Sequence, residues 1–350
     1  MRNTVRWVDV AQSLTRRVTP RREIPTEFLL VCTGGINHLI FLAAQLERFR
    51  LALGGADVPL VILADHAAGA ASFLFDDRAE IVFVDMKKLG EDSGYRARRL
   101  SEMFQSHFKG VVSLDYHRHP YLDESMVEAT QRPSMAMMPA PLPGLDEVLA
   151  NNAKYYKNRF DCGLPGTPIS LRWVELAFQL SAESPDLPAA TPYHLDTALL
   201  PEPVACETPT VVLQPFSPDL ARQPSSEFFA AVLDAVPADH VILLLGAPEL
   251  LERSSDINDL LELPNVSLEN TDLARALPIM RSARLMIATE SAPMHLAAIA
   301  GIPTVGIAVD VGNGDILPYP QGGGPENARI LIGDDASAEA VAAAVREALT

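Results

Sequence analysis

An α/β fold of two Rossmann-like parallel-sheet domains follows from three features of this 350-residue sequence. Short apolar runs alternate with stretches of helical periodicity almost throughout, which implies parallel sheets covered by helices on both faces. Two of these runs, Phe28–Cys32 and Leu285–Ala288, end at a small polar or Gly-rich turn that leads into a helix. Prolines 185, 188, 192, 201, 203 and 209 break every periodic pattern between residues 182 and 209. The expected organisation is an N-terminal domain over 1–190, a Pro-rich linker over 191–209 and a C-terminal domain over 210–350.

The expected strands of the first sheet are Phe28–Cys32, Leu60–Ala64, Ile81–Val84 and Val111–Leu114. Those of the second are Val211–Gln214, Val241–Gly246, Val266–Leu268, Leu285–Ala288 and Thr304–Ala308. Helical periodicity marks His38–Leu53, Glu227–Val236, Pro248–Leu261, Leu273–Ser282 and Ala338–Leu349, and Pro293–Ala300 begins with a proline suited to a first helical turn. Thr271 is a natural cap for the helix at Leu273. In sheets of this class ligands bind at the carboxyl ends of the strands, so the turns that follow the strands are where chemistry is expected.

Composition excludes several function classes. The formal charge of −17 lacks the basic footprint of a nucleic-acid binder. No apolar stretch reaches the roughly 18 residues of a membrane span, and no secretory leader is visible, so the cytoplasm is the expected compartment. The three cysteines, Cys32, Cys162 and Cys206, are scattered and match neither a disulfide framework nor a zinc site. Against the acidic trend, Arg2, Arg6, Arg16, Arg17, Arg21 and Arg22 cluster at the N-terminus. They read as a solvated lead-in helix or as a peripheral membrane or acceptor contact.

Residues 284–308, RLMIATESAPMHLAAIAGIPTVGIA, carry the most functional information. A buried strand stops at Thr289-Glu290-Ser291, a helix starts at once, Gly301 ends it and another strand follows. Such a turn aims backbone N–H groups and a helix dipole at an anion, most often a phosphate. His295 either donates to that anion or packs a turn. Ser291 either faces the anion or caps the helix.

This segment resembles the signature of glycosyltransferase family 9, the ADP-heptose-type heptosyltransferases, which runs roughly Asp-Thr-Gly-x-Met-His-Leu-Ala-Ala-Ala-x-Gly-x-Pro-Thr-Val. It matches at Met294, His295, Leu296, Ala297, Ala298, Gly301, Pro303, Thr304 and Val305, and it departs at Glu290, Ser291 and Ala292. The resemblance implies the GT-B arrangement: two Rossmann-like domains facing a cleft, acceptor on the first and nucleotide-sugar on the second. It implies donor-binding roles for Glu290, Ser291, Ala292 and His295. Ala221 stands where the family carries a phosphate-binding Lys, and the adjacent Arg222 is the candidate replacement, since an Arg fork suits phosphate. Glu249, after the Gly246-Ala247-Pro248 turn, matches an acidic residue that contacts the donor nucleoside. As a bland alternative, Glu249 is a first-turn carboxylate favoured by the helix dipole, and Arg222 a solvated surface residue. The runs Gly312–Asp315 and Gly322–Gly324 read as a mobile loop.

In the first half, Leu29–His38 is a strand, a Gly turn and a helix start that looks like the family's opening motif. Gly34 and Gly35 permit close backbone approach to an acceptor. The family's general base is an Asp where this chain has Asn37, and an amide takes no proton at neutral pH. His38 and Asp115 are the replacement candidates. His38 has the imidazole chemistry suited to a base, and Asp115 matches a common Asp at the end of the fourth strand. His117 and His119 read as acceptor contacts or as a plain polar loop. Lys154–Arg159, with two tyrosines, reads as a solvated helix end or as an anionic-acceptor patch.

The sequence has no Asp-x-Asp pair for a diphosphate-bound metal. The function expected is therefore an inverting, metal-independent glycosyltransferase that uses a nucleotide-sugar as co-substrate and no cofactor, with lipopolysaccharide assembly as the family's best-known setting. The rival readings are a sugar-nucleotide epimerase or hydrolase of the same architecture, and a degenerate nucleotide-sugar-binding protein.

Overall fold

A computed structural model describes residues 25–181, 194–217, 219–246, 248–309 and 325–350. The chain divides between Ala190 and Thr191 into two compact units. The first contains β1 (Glu27–Cys32), α1 (Ile36–Leu53), β2 (Leu60–Asp65), β3 (Glu80–Val84), α2 (Met86–Glu91), α3 (Ser93–Gln105), β4 (Phe108–Ser113), α4 (Asp123–Thr130), β5 (Ser134–Met137), α5 (Asp146–Asn152), β6 (Asn158–Phe160) and α6 (Ile169–Leu180). The second contains β7 (Thr210–Gln214), α7 (Ser226–Leu233), β8 (Val241–Leu245), α8 (Pro248–Arg253), β9 (Val266–Glu269), α9 (Leu273–Ser282), β10 (Leu285–Thr289), α10 (Ala292–Ile299), β11 (Thr304–Ala308), β12 (Ala328–Ile332) and α11 (Ala338–Leu349).

Each unit holds one six-stranded sheet, ordered β3-β2-β1-β4-β5-β6 in the first and β12-β11-β10-β7-β8-β9 in the second. Every strand pairing is parallel. Counted along each unit, both orders are the doubly wound 3-2-1-4-5-6. The chain direction of winding therefore reverses between β1 and β4 and again between β7 and β10, and those reversal points are where open α/β sheets take ligands.

The central strands are largely apolar and buried because helices cover both faces. One face of the first sheet (Leu29, Val31, Leu63, Val111) packs with Leu100 and Met103 of α3 and Met126 and Val127 of α4. In the second, Val211, Leu213, Ile287, Val305 and Ile307 pack with Phe229 and Val232 of α7 and Val341 and Val345 of α11. Full burial of a Val or Leu is worth about 1.5–3 kcal/mol, so each unit has its own core.

The nine expected strands are present, and three more are not legible from pattern. β5 is Ser-Met-Ala-Met, four residues without a β-branched side chain. β6 is a three-residue polar edge, and β12, Ala-Arg-Ile-Leu-Ile, is an edge strand whose single polar residue leaves no alternation to read. Other expectations need correction. Lys154–Arg159 is a helix end only in part: a 3-10 turn over Ala153–Tyr155 closes α5, Tyr156 is buried, and β6 starts at Asn158. The helix expected over Pro248–Leu261 stops at Arg253, and Ser255–Glu262 is 3-10. Thr271 does not cap α9; Asp272 does, accepting Arg275 N–H at 2.9 Å.

Among the described residues no helix is long and apolar enough to cross a membrane. The Arg-rich N-terminus, the first part of the Pro-rich stretch and the Gly312–Asp315 and Gly322–Gly324 runs lie outside the described residues.

Candidate functional site

The reversal point of the first sheet brings together the turn after β1 and the residues after β4. His38, in the first turn of α1, and Asp115, just beyond β4, are not competing groups but one pair, with Nδ1 2.9 Å from Oδ1. Asp115 is fully buried. Its other oxygen accepts Thr33 N–H at 2.6 Å and lies 3.1 Å from the Thr33 hydroxyl. A carboxylate only accepts, so the proton between the pair sits on His38 Nδ1, and the Nε2 lone pair is left open. No Nε2 partner is found among the described residues, and the His38 side chain is 21 % exposed. The imidazole meets Trp173 of α6 edge to face at 5.7 Å, and the Trp173 indole N–H donates to the Leu114 carbonyl at 2.7 Å. A buried carboxylate orienting an imidazole with a free outer nitrogen is the geometry of a general base.

Gly34 leaves room for His38: a Cβ there would lie 1.8 Å from His38 Nδ1. Gly35 has φ +93°, a conformation that side chains rarely adopt. Asn37 is partly buried, and its Oδ1 has no hydrogen-bond partner among the described residues.

A cavity of about 300 Å³ opens beside this pair. Its walls include Thr33, Asp65, His117, His119, Asp123 and Pro141. The two histidines expected to contact an acceptor thus line it, whereas Gly34, Gly35, His38 and Asp115 do not. Burial and Arg96 lower the His119 pKa, favouring the neutral ring.

Asp123 is the residue sequence reasoning missed. It opens α4, where an acid normally reads as a dipole partner, yet it is 5 % exposed and sits among polar groups. Burial, then the Asp115 charge, push its pKa up to about 6. Cys32, His38 and Asp115 offer donor atoms within 4.8 Å of one another. Burial and Asp115 push the Cys32 thiol well up, and a thiol that keeps its proton is a poor metal ligand; we assign the trio no metal.

The second reversal point joins the turn after β7 to the turn after β10. Glu290 is shared: its Oε1 is 2.9 Å from His295 Nε2, and its Oε2 is 3.7 Å from an Arg222 nitrogen. His295 is fully buried, and its Nε2 lies against Glu290 Oε1. Ser291 stands at the helix start without capping it. Its hydroxyl lies 3.1 Å from Gln214 Oε1 and 2.8 Å from the Thr289 carbonyl, tying β10 to β7. Ala292 is the first residue of α10, followed by Pro293. Arg222, on the Leu220–Arg222 3-10 turn, also pairs with Asp219 and keeps 25 % of its side chain exposed. Glu249 is an exposed first-turn residue of α8. The arrangement can receive an anion at the first turn of α10, where Ala292 and Met294 carry backbone N–H groups, Pro293 has none and His295 N–H donates to the Ser291 carbonyl, with Arg222 at hand. Gln214, at the end of a strand, carried no sequence signal.

Residues 151–318 match the sequence profile of glycosyltransferase family 9 (heptosyltransferase). No curated protein sequence is similar to the chain. Among solved structures, a family 9 glycosyl transferase from Veillonella parvula is 14% identical, with a TM-score of 0.72 over 95% of this chain and 99% of that one. The E. coli heptosyltransferase WaaC, solved with ADP, is 14% identical, with a TM-score of 0.69 over 92% and 98%. The E. coli ADP-heptose LPS heptosyltransferase II is 12% identical, with a TM-score of 0.65 over the same shares. The fold is therefore GT-B, as the resemblance implied.

Proposed function

We propose that this chain belongs to glycosyltransferase family 9 and moves a glycosyl group from a nucleoside diphosphate sugar to an acceptor hydroxyl, with inversion and without a metal. The observation that carries the reading is the His38–Asp115 pair at the reversal point of the first sheet. His38 Nε2 takes the proton of the acceptor hydroxyl, and Asp115 stabilises the resulting imidazolium. The alkoxide oxygen attacks the anomeric carbon as its bond to the diphosphate breaks. The acceptor hydroxyl sits at His38 Nε2, outside the cavity lining, and the rest of the acceptor extends toward the cavity beside Thr33 and His119. In the second unit the α10 N-terminus and Arg222 offset the charge that develops on the leaving diphosphate. Glu290 holds Arg222, and His295 holds Glu290. The metal-free part rests on the absence of an Asp-x-Asp pair. The E. coli relative was solved with ADP, so ADP-sugars are the first donors to assay.

The test measures transfer to sugar acceptors in excess EDTA, with the parent and His38→Ala. The parent is expected to remain active in EDTA, and His38→Ala to lose about 10²–10⁴-fold in kcat. Activity restored only by Mg²⁺ or Mn²⁺ rejects the metal-free mechanism, and an unchanged kcat in folded His38→Ala rejects the base. ADP release or an isomerised sugar with no acceptor present points to a hydrolase or epimerase instead.

A further inference from the structure

Thr33 carries one hydroxyl proton, yet its Oγ1 lies within hydrogen-bonding reach of two carboxylates, Asp115 Oδ2 at 3.1 Å and Asp123 Oδ1. A hydroxyl donates to one acceptor only. With both acids ionised, one of these contacts sets lone pair against lone pair. A proton on Asp123 Oδ1 removes the conflict: Asp123 donates to Thr33, Thr33 donates to Asp115, and Asp115 accepts from His38 on its other oxygen. The remaining oxygen of Asp123 accepts His119 N–H at 2.5 Å, so its acceptor side is satisfied. Both Asp115 oxygens act as acceptors, from Thr33 N–H and from His38 Nδ1–H, so the extra proton is placed on Asp123.

We propose that Asp123 is a positioning residue for the His38–Asp115 pair, holding a proton that aims the Thr33 hydroxyl at Asp115. The inference rests on the reading of His38 as the base. The raised pKa of Asp123 agrees with the hydrogen-bond count. Ionising Asp123 turns the Thr33 hydroxyl away and leaves Asp115 and the imidazole less firmly held. The charged and titratable groups around Asp123 are Asp115 beyond β4, His38 on α1, Arg118 and His119 in the loop before α4, Glu124 on α4 and Tyr156 beyond α5. Asp65, beyond β2, shares its cavity.

Asp123→Asn is the informative variant, because the amide can donate to Thr33 and accept from His119 N–H as the protonated acid does. The His38 ring resonances are followed by NMR across pH. The parent is expected to show an inflection at about pH 6 that reports Asp123, and Asp123→Asn to lack it. Asp123→Ala and Thr33→Val are each expected to lose about 5–10-fold in kcat with KM little changed, the scale of one hydrogen bond, and Asp123→Asn to recover most of that loss. Stability is the second readout. A folded pKa above the unfolded value favours the folded state below about pH 4, and that contribution is lost as pH rises through about 6. The urea midpoint of Asp123→Asn should therefore climb relative to the parent across that range. The inference is overturned by an identical His38 pH response in parent and Asp123→Asn, by parent kcat in Asp123→Ala or Thr33→Val, or by a midpoint difference that does not vary with pH. If Asp123→Ala does not fold, Thr33→Val decides the kinetic arm. If His38→Ala retains its kcat, the base reading fails on its own, and the NMR and stability arms still judge Asp123.

Discussion

Gly34 shows how one missing methyl group sets the chemistry. The Gly-Gly pair in the sequence points to a turn and a nearby ligand. Only the folded chain shows that the space belongs to the His38 imidazole, 1.8 Å from where a Cβ would stand. Gly34→Ala must push the ring away from Asp115. The expected result is a kcat loss on the order of 10²-fold, near the low end for removing a base, and a destabilisation of about 1–3 kcal/mol from overpacking. Steady-state kinetics beside urea denaturation checks both, and parent kcat in the alanine variant refutes the assignment. Asp123 teaches the converse. An acid in the first turn of a helix is common and favourable, so its type and position carry no functional signal. Its burial against Asp115 does, and burial is not written in the local sequence.

At the scale of elements, the fit of α6 on β4 supports the site. Trp173 is fully buried, and its indole N–H satisfies the carbonyl of Leu114, the residue that precedes Asp115. Trp173→Phe keeps an aromatic ring but leaves that buried carbonyl unpaired. The expected cost is about 1–3 kcal/mol, read as a lower urea midpoint, and no loss of stability would show that the bond contributes nothing. Ser291 and His295 make the same point for α10. Pattern places them at a helix start and implies that they face an anion. Packing turns Ser291 toward Gln214 and commits His295 to Glu290.

On the whole-molecule scale, the same strand order occurs twice, each time with its own core. Two separate cores predict two unfolding steps, and the functional proposal assigns the nucleotide to the second. ADP at about 100 times its Kd should raise the second unit's opening free energy by about 2.7 kcal/mol. Hydrogen exchange in urea, read peptide by peptide, checks this. Equal protection of β1–β6 and β7–β12 peptides would contradict the assignment.

The sequence by itself determined the class of fold, nine of the twelve strands and the two turns where chemistry collects. Those are local properties: apolar runs, helical period, and the Gly and Pro residues that punctuate them. It also carried the family signature, because that signature is contiguous. Three short or edge strands escaped because four residues or fewer, or an edge run without polar alternation, leave too little pattern to read. Only the tertiary structure decided that His38 and Asp115, 77 positions apart, are partners rather than alternatives. It alone showed Asp123, 90 positions from Thr33, joining them through a shared hydroxyl. The reason is topological. A doubly wound sheet sets its first and fourth strands side by side, so residues distant in the chain meet at their carboxyl ends, and no spacing within either segment records which of them will touch.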